Sequence, residues 1–331
     1  MRVVFLPALL IAICVSTTAQ TIANGTSFDS DHDGVTDAEE QSLLRQFLPR
    51  FMISADDCST RPAEFTPFLQ KPVVKAASGI IYGQAFPHDQ RGDELELHYY
   101  DLWGKDCGES GHNLDAEHVS VLLARDKAGA WKARYWYAAA HEDTLCDASQ
   151  IAHAQTLNAE GQGAKIWISA GKHAAFLSNA MCKRGCGADS CADLEQLTAT
   201  RIINVGEPSA PMNGATWAAS AEWPLSEKMR RSDFSDARIA RLDQLPVDDI
   251  AWASPGKRPA QAAILGGDAA LGGAATGLRA TDTALTTADA NTSGALDTAQ
   301  RKTGNALSKS YRGVKKALKA ATGNSDSEKK K

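Results

Sequence analysis

Long apolar stretches are almost missing from this chain of 331 residues. The one run of any length, Val3 to Val15, is well short of the roughly 20 residues that span a bilayer. With a mean hydropathy of −0.30, this excludes a polytopic membrane protein. Aromatic residues are also scarce, at 7%, and unevenly placed: all seven Trp lie between Trp103 and Trp252, and none of any kind occurs from Ala253 to Ser310. The core must therefore form in the middle of the chain. No Ser-centred nucleophile elbow, Walker loop, dinucleotide fingerprint or His-Glu-x-x-His helix is present, which removes the commonest covalent, nucleotide-dependent and zinc-protease chemistries.

The N-terminus reads as a processing segment. Arg2, the apolar stretch and the small run Ser16, Thr17, Thr18, Ala19 follow the order of a secretory signal peptide, with cleavage after Ala19. A lipoprotein signal at Cys14 is the alternative, and Ile13 fits it poorly. The expectation is an exported protein, secreted or periplasmic. Cleavage leaves six cysteines, Cys58, Cys107, Cys146, Cys182, Cys186 and Cys191, and an oxidising compartment makes disulfides the default. Six cysteines allow fifteen pairings. Three of them, Cys182, Cys186 and Cys191, offer an alternative zinc site, but paired Cys-x-x-Cys spacing is missing.

Charge is distributed as unevenly as the aromatics. The formal net charge is −5, yet Arg301 to Lys331 holds ten Lys and Arg against Asp326 and Glu328, a net +8 that leaves −13 on residues 1–300. The chain divides into a signal (1–19), an acidic head (20–52), a disulfide-stabilised body (53–253) and an Ala/Gly/Thr-rich tail (254–331). Within the body, short β-branched and aromatic runs at Ile80–Phe86, Leu95–Leu102, His118–Ala124, Trp131–Ala138, Lys165–Ser169 and Ala199–Val205 are separated by Gly, Asp and Asn clusters. The fold class expected is mainly β, an antiparallel sandwich. Helices are expected only at Ser190–Gln196 and Ser235–Leu242.

The head carries the sharpest motif. Asp29-Ser-Asp31-His-Asp33-Gly34-Val35-Thr-Asp37-Ala-Glu-Glu40 sets oxygen ligands at loop positions 1, 3, 5, 7, 9 and 12 with Gly at 6. Calcium needs six to eight hard oxygens on a sharply turned backbone. Asp29, Asp31, Asp33 and Glu40 would supply carboxylates, Val35 its carbonyl, and Asp37 a direct or water-mediated contact. Leu43, Leu44, Phe47 and Leu48 follow at helical spacing, ending near Pro49. The segment resembles an EF-hand loop with its exiting helix. No preceding helix fits before Phe28, so the half-hands of dockerin-like and thrombospondin-like calcium loops are more similar. A solvated acidic leader is the bland alternative. A loop of this kind in an exported protein acts as a structural clamp.

A second constellation, Gly111-His112-Asn113-Leu114-Asp115-Ala116-Glu117, joins a loop to a strand. Asp115 and Glu117 are two apart and share a strand face, and His112 can fold back over them. An imidazole with two carboxylates suits Mg²⁺, Mn²⁺ or Ca²⁺, while an acidic strand start is the alternative. Gly-His-x-x-Asp-x-Glu resembles the heptapeptide of the necrosis-inducing proteins, with related motifs in vacuolar-sorting-associated proteins. Asn113, Leu114 and Ala116 replace that family's Arg, His and Trp. The resemblance implies a β-sandwich with a divalent-metal site at His112, Asp115 and Glu117, completed by an upstream Asp such as Asp101 or Asp106. It also implies that Trp167-Ile-Ser-Ala-Gly-Lys172-His173 is the strand ending in a site-associated His. His112 and His173 are the candidate acid-base residues should the protein be an enzyme; an imidazole titrating near pH 6.5 suits proton transfer. His141, Glu142 and Asp143 are weaker candidates.

The tail has a period. Ile264, Leu271, Leu278 and Leu285 recur every seven residues, then Leu285, Leu296, Leu307 and Leu318 every eleven, a spacing that aligns one stripe on a nearly straight helix. Lys315, Lys316 and Lys319 stand beside it. Anionic lipid attracts such residues at about 1 kcal/mol each near the surface, so the stripe and its lysines form a candidate lipid contact. Repeated Gly argues for disorder until a partner is met. Nucleic acid is not expected, because export and the missing aromatics oppose it. The leading expectation is a secreted calcium-binding sandwich that holds a polar lipid or glycan surface through a divalent metal. The alternatives are a metal-dependent hydrolase of phosphoesterase type and a structural envelope protein.

Overall fold

The computed structural model describes residues 28–257 apart from 109–110, 145–146 and 186–188. The signal segment, nearly all of the tail with its leucine stripe and lysines, Cys146 and Cys186 lie outside the described residues. In chain order the elements are α1 (Asp37–Gln46), β1 (Arg50–Ser54), β2 (Glu64–Phe65), β3 (Val74–Ala76), β4 (Ile80–Pro87), β5 (Glu94–Lys105), β6 (Asn113–Arg125), β7 (Trp131–Ala138), β8 (Gln150–His153), β9 (Lys165–Ile168), β10 (Ala175–Phe176), α2 (Asn179–Lys183), β11 (Leu194–Gln196), β12 (Arg201–Asn204), β13 (Gly206–Glu207), β14 (Ala210–Pro211), α3 (Leu225–Lys228), α4 (Asp236–Leu242) and β15 (Ile250–Trp252).

The fold is mainly β, as the alternating runs imply. Seven strands form one sheet in the order β12-β4-β5-β6-β7-β8-β15, and four form another, β10-β9-β1-β11. Within these two sheets neighbours are antiparallel except β12 with β4 and β1 with β9. Leu95, Leu97 and Tyr99 of β5, Val119, Val121 and Leu123 of β6, Phe51 and Ile53 of β1 and Ile166 and Ile168 of β9 share one buried cluster. That cluster joins the two sheets face to face. Full burial of each such side chain is worth about 1.5–3 kcal/mol.

The acidic head is bound into this core. Thr36 caps α1 by accepting the Glu39 amide at 3.2 Å, and Leu43, Leu44 and Phe47 on the far side of the helix enter the same cluster. Gly83 of β4 leaves room for Leu44: a Cβ there would lie 2.8 Å from its Cδ2. Gly163 is needed for a second close approach, because a Cβ would meet the Leu48 carbonyl oxygen at 1.8 Å.

Strand β5 is buried on both faces. Its other face, with Tyr100 and Leu102, meets Phe65 of β2, Trp217, Trp223 and Leu225 of α3. Farther along the sheet, Tyr135, Tyr137 and Ile151 meet Phe234 and Leu242 of α4. The helix expected at Ser235–Leu242 is therefore present as α4. The one expected at Ser190–Gln196 is not: Asp193 is left-handed, with φ 49°, and Leu194–Gln196 pairs with Met52–Ser54 as edge strand β11. Edge pairing satisfies the backbone of a segment too short to nucleate a helix.

Among the described residues, two disulfides tie the loops. Cys58 bonds Cys107, joining the segment after β1 to the end of β5, and Cys182 bonds Cys191 across the loop after α2. The second bond corrects the alternative of a three-cysteine zinc site, since two of its thiolates are consumed. Among the described residues no helix is long and apolar enough to cross a membrane.

Candidate metal centres

Among the described residues, three groups bring potential metal-ligand atoms within 4.8 Å of one another: Asp29, Asp31 and Asp33; Asp57, Cys58 and His173; and His98, His118 and Asp233. His112, Asp115 and Glu117 are not such a group.

The first group lies in the head loop. Gly34 sits at φ +96° and His32 at φ +64°, the left-handed conformations that fold six residues back on themselves. Asp29 accepts the amides of His32 at 2.8 Å and Gly34 at 3.1 Å, and Asp33 that of Val35 at 2.7 Å. These bonds turn the carboxylates inward. Asp31 and Glu40 are buried, and both oxygens of Asp31, Oδ2 of Asp33 and Oε1 of Glu40 lack any hydrogen-bond partner. The other Glu40 oxygen accepts from Asn204 at 3.0 Å. Asp37 behaves differently, since its two oxygens accept the Ser30 amide and hydroxyl, each at 2.7 Å. It braces the loop from behind.

Burial and mutual repulsion make this cluster an avid proton acceptor. Burial, then Asp33, Glu207 and Asp29, lift Asp31 to about 7. Burial, then Asp31 and Asp33, lift Glu40 to about 9 against the opposing Asn204 bond. Asp33 is raised by burial too, with Arg230 opposing. Buried carboxylates facing one another without partners need a cation or protons. Asn204 and Glu207 complete this surround from β12 and β13, more than 160 positions away, and nothing in the sequence marks them.

The second centre is built on the register of β5 and β6. Asp101 pairs opposite Glu117, and Trp103 opposite Asp115, so three carboxyls share one face beyond the apolar cluster, although their oxygens do not all come within 4.8 Å of one another as those of the three groups do. Asp101 is fully buried; it accepts the Trp103 indole N–H at 3.3 Å on one oxygen and has no partner on the other. Burial holds it at about 7. Glu117 is half-buried but hemmed in by protein, and desolvation followed by Asp115 and Asp101 keeps its carboxyl well above the usual range, with Lys228 opposing. Of the two candidates for a fourth ligand, Asp101 is the one beside Glu117. Asp106 belongs instead with His112, at 3.8 Å, on the exposed loop. Leu114, the second residue of β6, is left-handed at φ +63°.

His173 lies beneath. It is fully buried, stacked on Trp103 with centroids 4.0 Å apart, its Nδ1 3.3 Å from Asp115 and its Nε2 3.4 Å from Asp57. Burial alone would lower its pKa, but the bonds to Asp115 and Asp57 outweigh this and raise it to about 9. Burial works against ionisation of Asp57, yet its bonds from His173, Gly171 and Ser59 hold it below the usual range. Held between Asp57 and Asp115, the ring favours its protonated form and positions Asp115. Cys58 adds no ligand, being disulfide-bonded. Sequence reasoning missed Asp57. Glu142 and Asp143 both engage Arg231, at 3.3 and 2.8 Å, and His141 pairs with Asp189 at 2.9 Å.

No family model and no curated protein matches the chain. Among solved structures, a mutant of NLPPya aligns at 15% identity and TM-score 0.36, covering 60% of this chain and 84% of that one. NLPPya in complex with glucosamine aligns at 18% identity and TM-score 0.34, covering 57% and 82%. Necrosis and Ethylene inducing Protein 2 from the causal agent of cocoa's Witches' Broom disease aligns at 17% identity and TM-score 0.33, covering 63% and 96%. Likeness of this degree carries no argument about activity, which has to rest on the residues.

Proposed function

We propose that this is an exported calcium-binding β-sandwich protein that docks on a polar glycan or lipid-headgroup surface through a divalent metal at the end of β5 and β6. The carrying observation is the gathering of Asp101, Asp115 and Glu117 on one face, with one Asp101 oxygen unpartnered and two of the three carboxyls held above their ordinary range. Such a cluster favours a hard divalent cation. Asp101 and Glu117 would hold the ion, Asp115 is positioned by His173, and His112 lies on the adjoining loop to meet whatever approaches. The ion would supply open coordination positions for hydroxyl or phosphate oxygens. The head loop is a separate calcium clamp, with Asp29, Asp31, Asp33, Glu40 and the Val35 carbonyl as ligands.

Binding of the full chain to immobilised glycans and to anionic vesicles, with and without chelator, tests this reading. Metal-dependent binding lost in Glu117→Gln is expected. Binding unchanged by chelator overturns it.

A further inference from the structure

We propose that His98, His118 and Asp233, with Glu96 adjoining His98, form a closed site for a first-row transition metal of the zinc type. The site lies on the opposite face of the seven-stranded sheet from the core between the sheets and is independent of both oxygen-lined centres.

The register builds it. His98 and His118 alternate with Leu97, Tyr99 and Val119 of that core, so they face away from it; His98 pairs with Ser120 and Tyr100 with His118, which makes the two imidazoles diagonal neighbours. Their rings are almost parallel, 6° apart in plane with centroids at 5.9 Å. Asp233, between α3 and α4, closes over them. His118 Nε2 is 3.0 Å from Asp233 Oδ2, His98 Nε2 is 3.9 Å from the same oxygen and 2.9 Å from Glu96 Oε2. Zinc bonds of about 2.0–2.2 Å in a tetrahedron put ligands about 3.3–3.5 Å apart, and the observed spacings bracket that edge.

Everything around these atoms resembles a metal site's supporting shell. His98, His118 and Asp233 are fully buried and Glu96 nearly so. Ser120 donates its hydroxyl to Asp233 Oδ2 at 2.6 Å, and His88 fixes the far oxygen of Glu96 at 2.6 Å. Asp233 Oδ1 is buried without a partner, a free second lone-pair donor. The outer ring nitrogen of His118 faces Glu142 Oε2 at 3.8 Å, an oxygen that also meets Arg231 at 3.3 Å and Lys228 at 3.5 Å; a carboxylate behind the distal nitrogen is the usual orientation device of a metal-bound histidine. Two neutral imidazoles, the Asp233 carboxylate and the adjoining Glu96 carboxylate together offset a divalent charge. Imidazole donors favour zinc-like ions over calcium, so this centre is chemically distinct from the head. With three protein ligands gathered out of reach of solvent, its role is structural: it fixes Asp233, and through it the chain between α3 and α4, to the sheet.

The full-length protein, produced in zinc-supplemented medium and dialysed into zinc-free calcium buffer, tests this by elemental analysis and zinc X-ray absorption. One equivalent of zinc with two imidazole nitrogens at about 2.0–2.1 Å is expected. His118→Gln and Asp233→Asn should each weaken retention by about tenfold or more, leaving calcium bound at the head. Wild-type protein with no retained zinc, a spectrum without imidazole scattering, or zinc retained undiminished in both variants overturns the proposal. The wild-type spectrum decides even if a variant does not fold.

Discussion

The head loop and the β5–β6 end both crowd carboxylates out of water, but they compensate the charge differently. At the β5–β6 end an internal cation is supplied: His173 sits between Asp57 and Asp115 at 3.3–3.4 Å. In the head, Asp31 and Glu40 have buried, unpartnered oxygens, and the opposing groups are Asn204 and Arg230, whose guanidinium is taken up by Glu207 at 2.8 Å. The first arrangement holds itself together through an ion pair. The second is complete only when protons or a cation arrive from outside, so the head should respond to pH and calcium more strongly than the His173 ion pair does.

Removing the internal cation should have the largest effect. His173→Ala leaves Asp57 and Asp115 facing a void and is expected to cost about 3–5 kcal/mol, measured by denaturant unfolding. Because the folded pKa of about 9 exceeds the ordinary 6.5, the wild-type contribution is full below about pH 6.5 and fades as pH rises through 9. Leu44→Ala, which detaches the head from the core under Gly83, should cost about 2–5 kcal/mol whether or not calcium is present.

Glu40→Gln sharpens the comparison through a change of sign. A carboxyl with a raised folded pKa binds its proton more tightly in the native state, so metal-free wild-type stability should fall as pH rises from about 4.5 to about 9. In chelator at pH 8 the neutral Gln should stabilise by about 1–3 kcal/mol, because it removes the cost of taking up a proton that the unfolded chain has lost; in saturating calcium it should destabilise. Melting temperatures at pH 5 and 8 under both conditions check this. Calcium binding at pH 7 should also release about one to two protons, read by calorimetry in buffers of differing ionisation enthalpy. The smallest effect belongs to His112→Ala, exposed and 3.8 Å from Asp106. Stability should shift by less than about 0.5 kcal/mol, while affinity for the polar surface falls.

Legibility in the sequence followed locality. The head loop could be read because its ligands recur within twelve residues and Gly34 marks the turn. Strands β4, β5, β6 and β7 were visible as alternating runs, and α4 by its spacing. Short strands such as β8, β10 and β11 exist because neighbours pair with them, so Leu194–Gln196 read as helix until the edge of β1 was known. Asp115 and Glu117 announced a site, yet Asp101, opposite Glu117 only by register, remained one of two choices, and Asp57 was invisible. His98, His118 and Asp233 are separated by 20 and 115 positions. Only the pairing of β5 with β6 and the closure of the segment before α4 bring them together.

The most direct test of the account is anomalous diffraction from crystals grown with calcium and measured at a long wavelength. The account predicts one peak bounded by Asp29, Asp31, Asp33, Glu40 and the Val35 carbonyl, and a second beside Asp101 and Glu117. Well-ordered carboxylates with no peak at either place would contradict it.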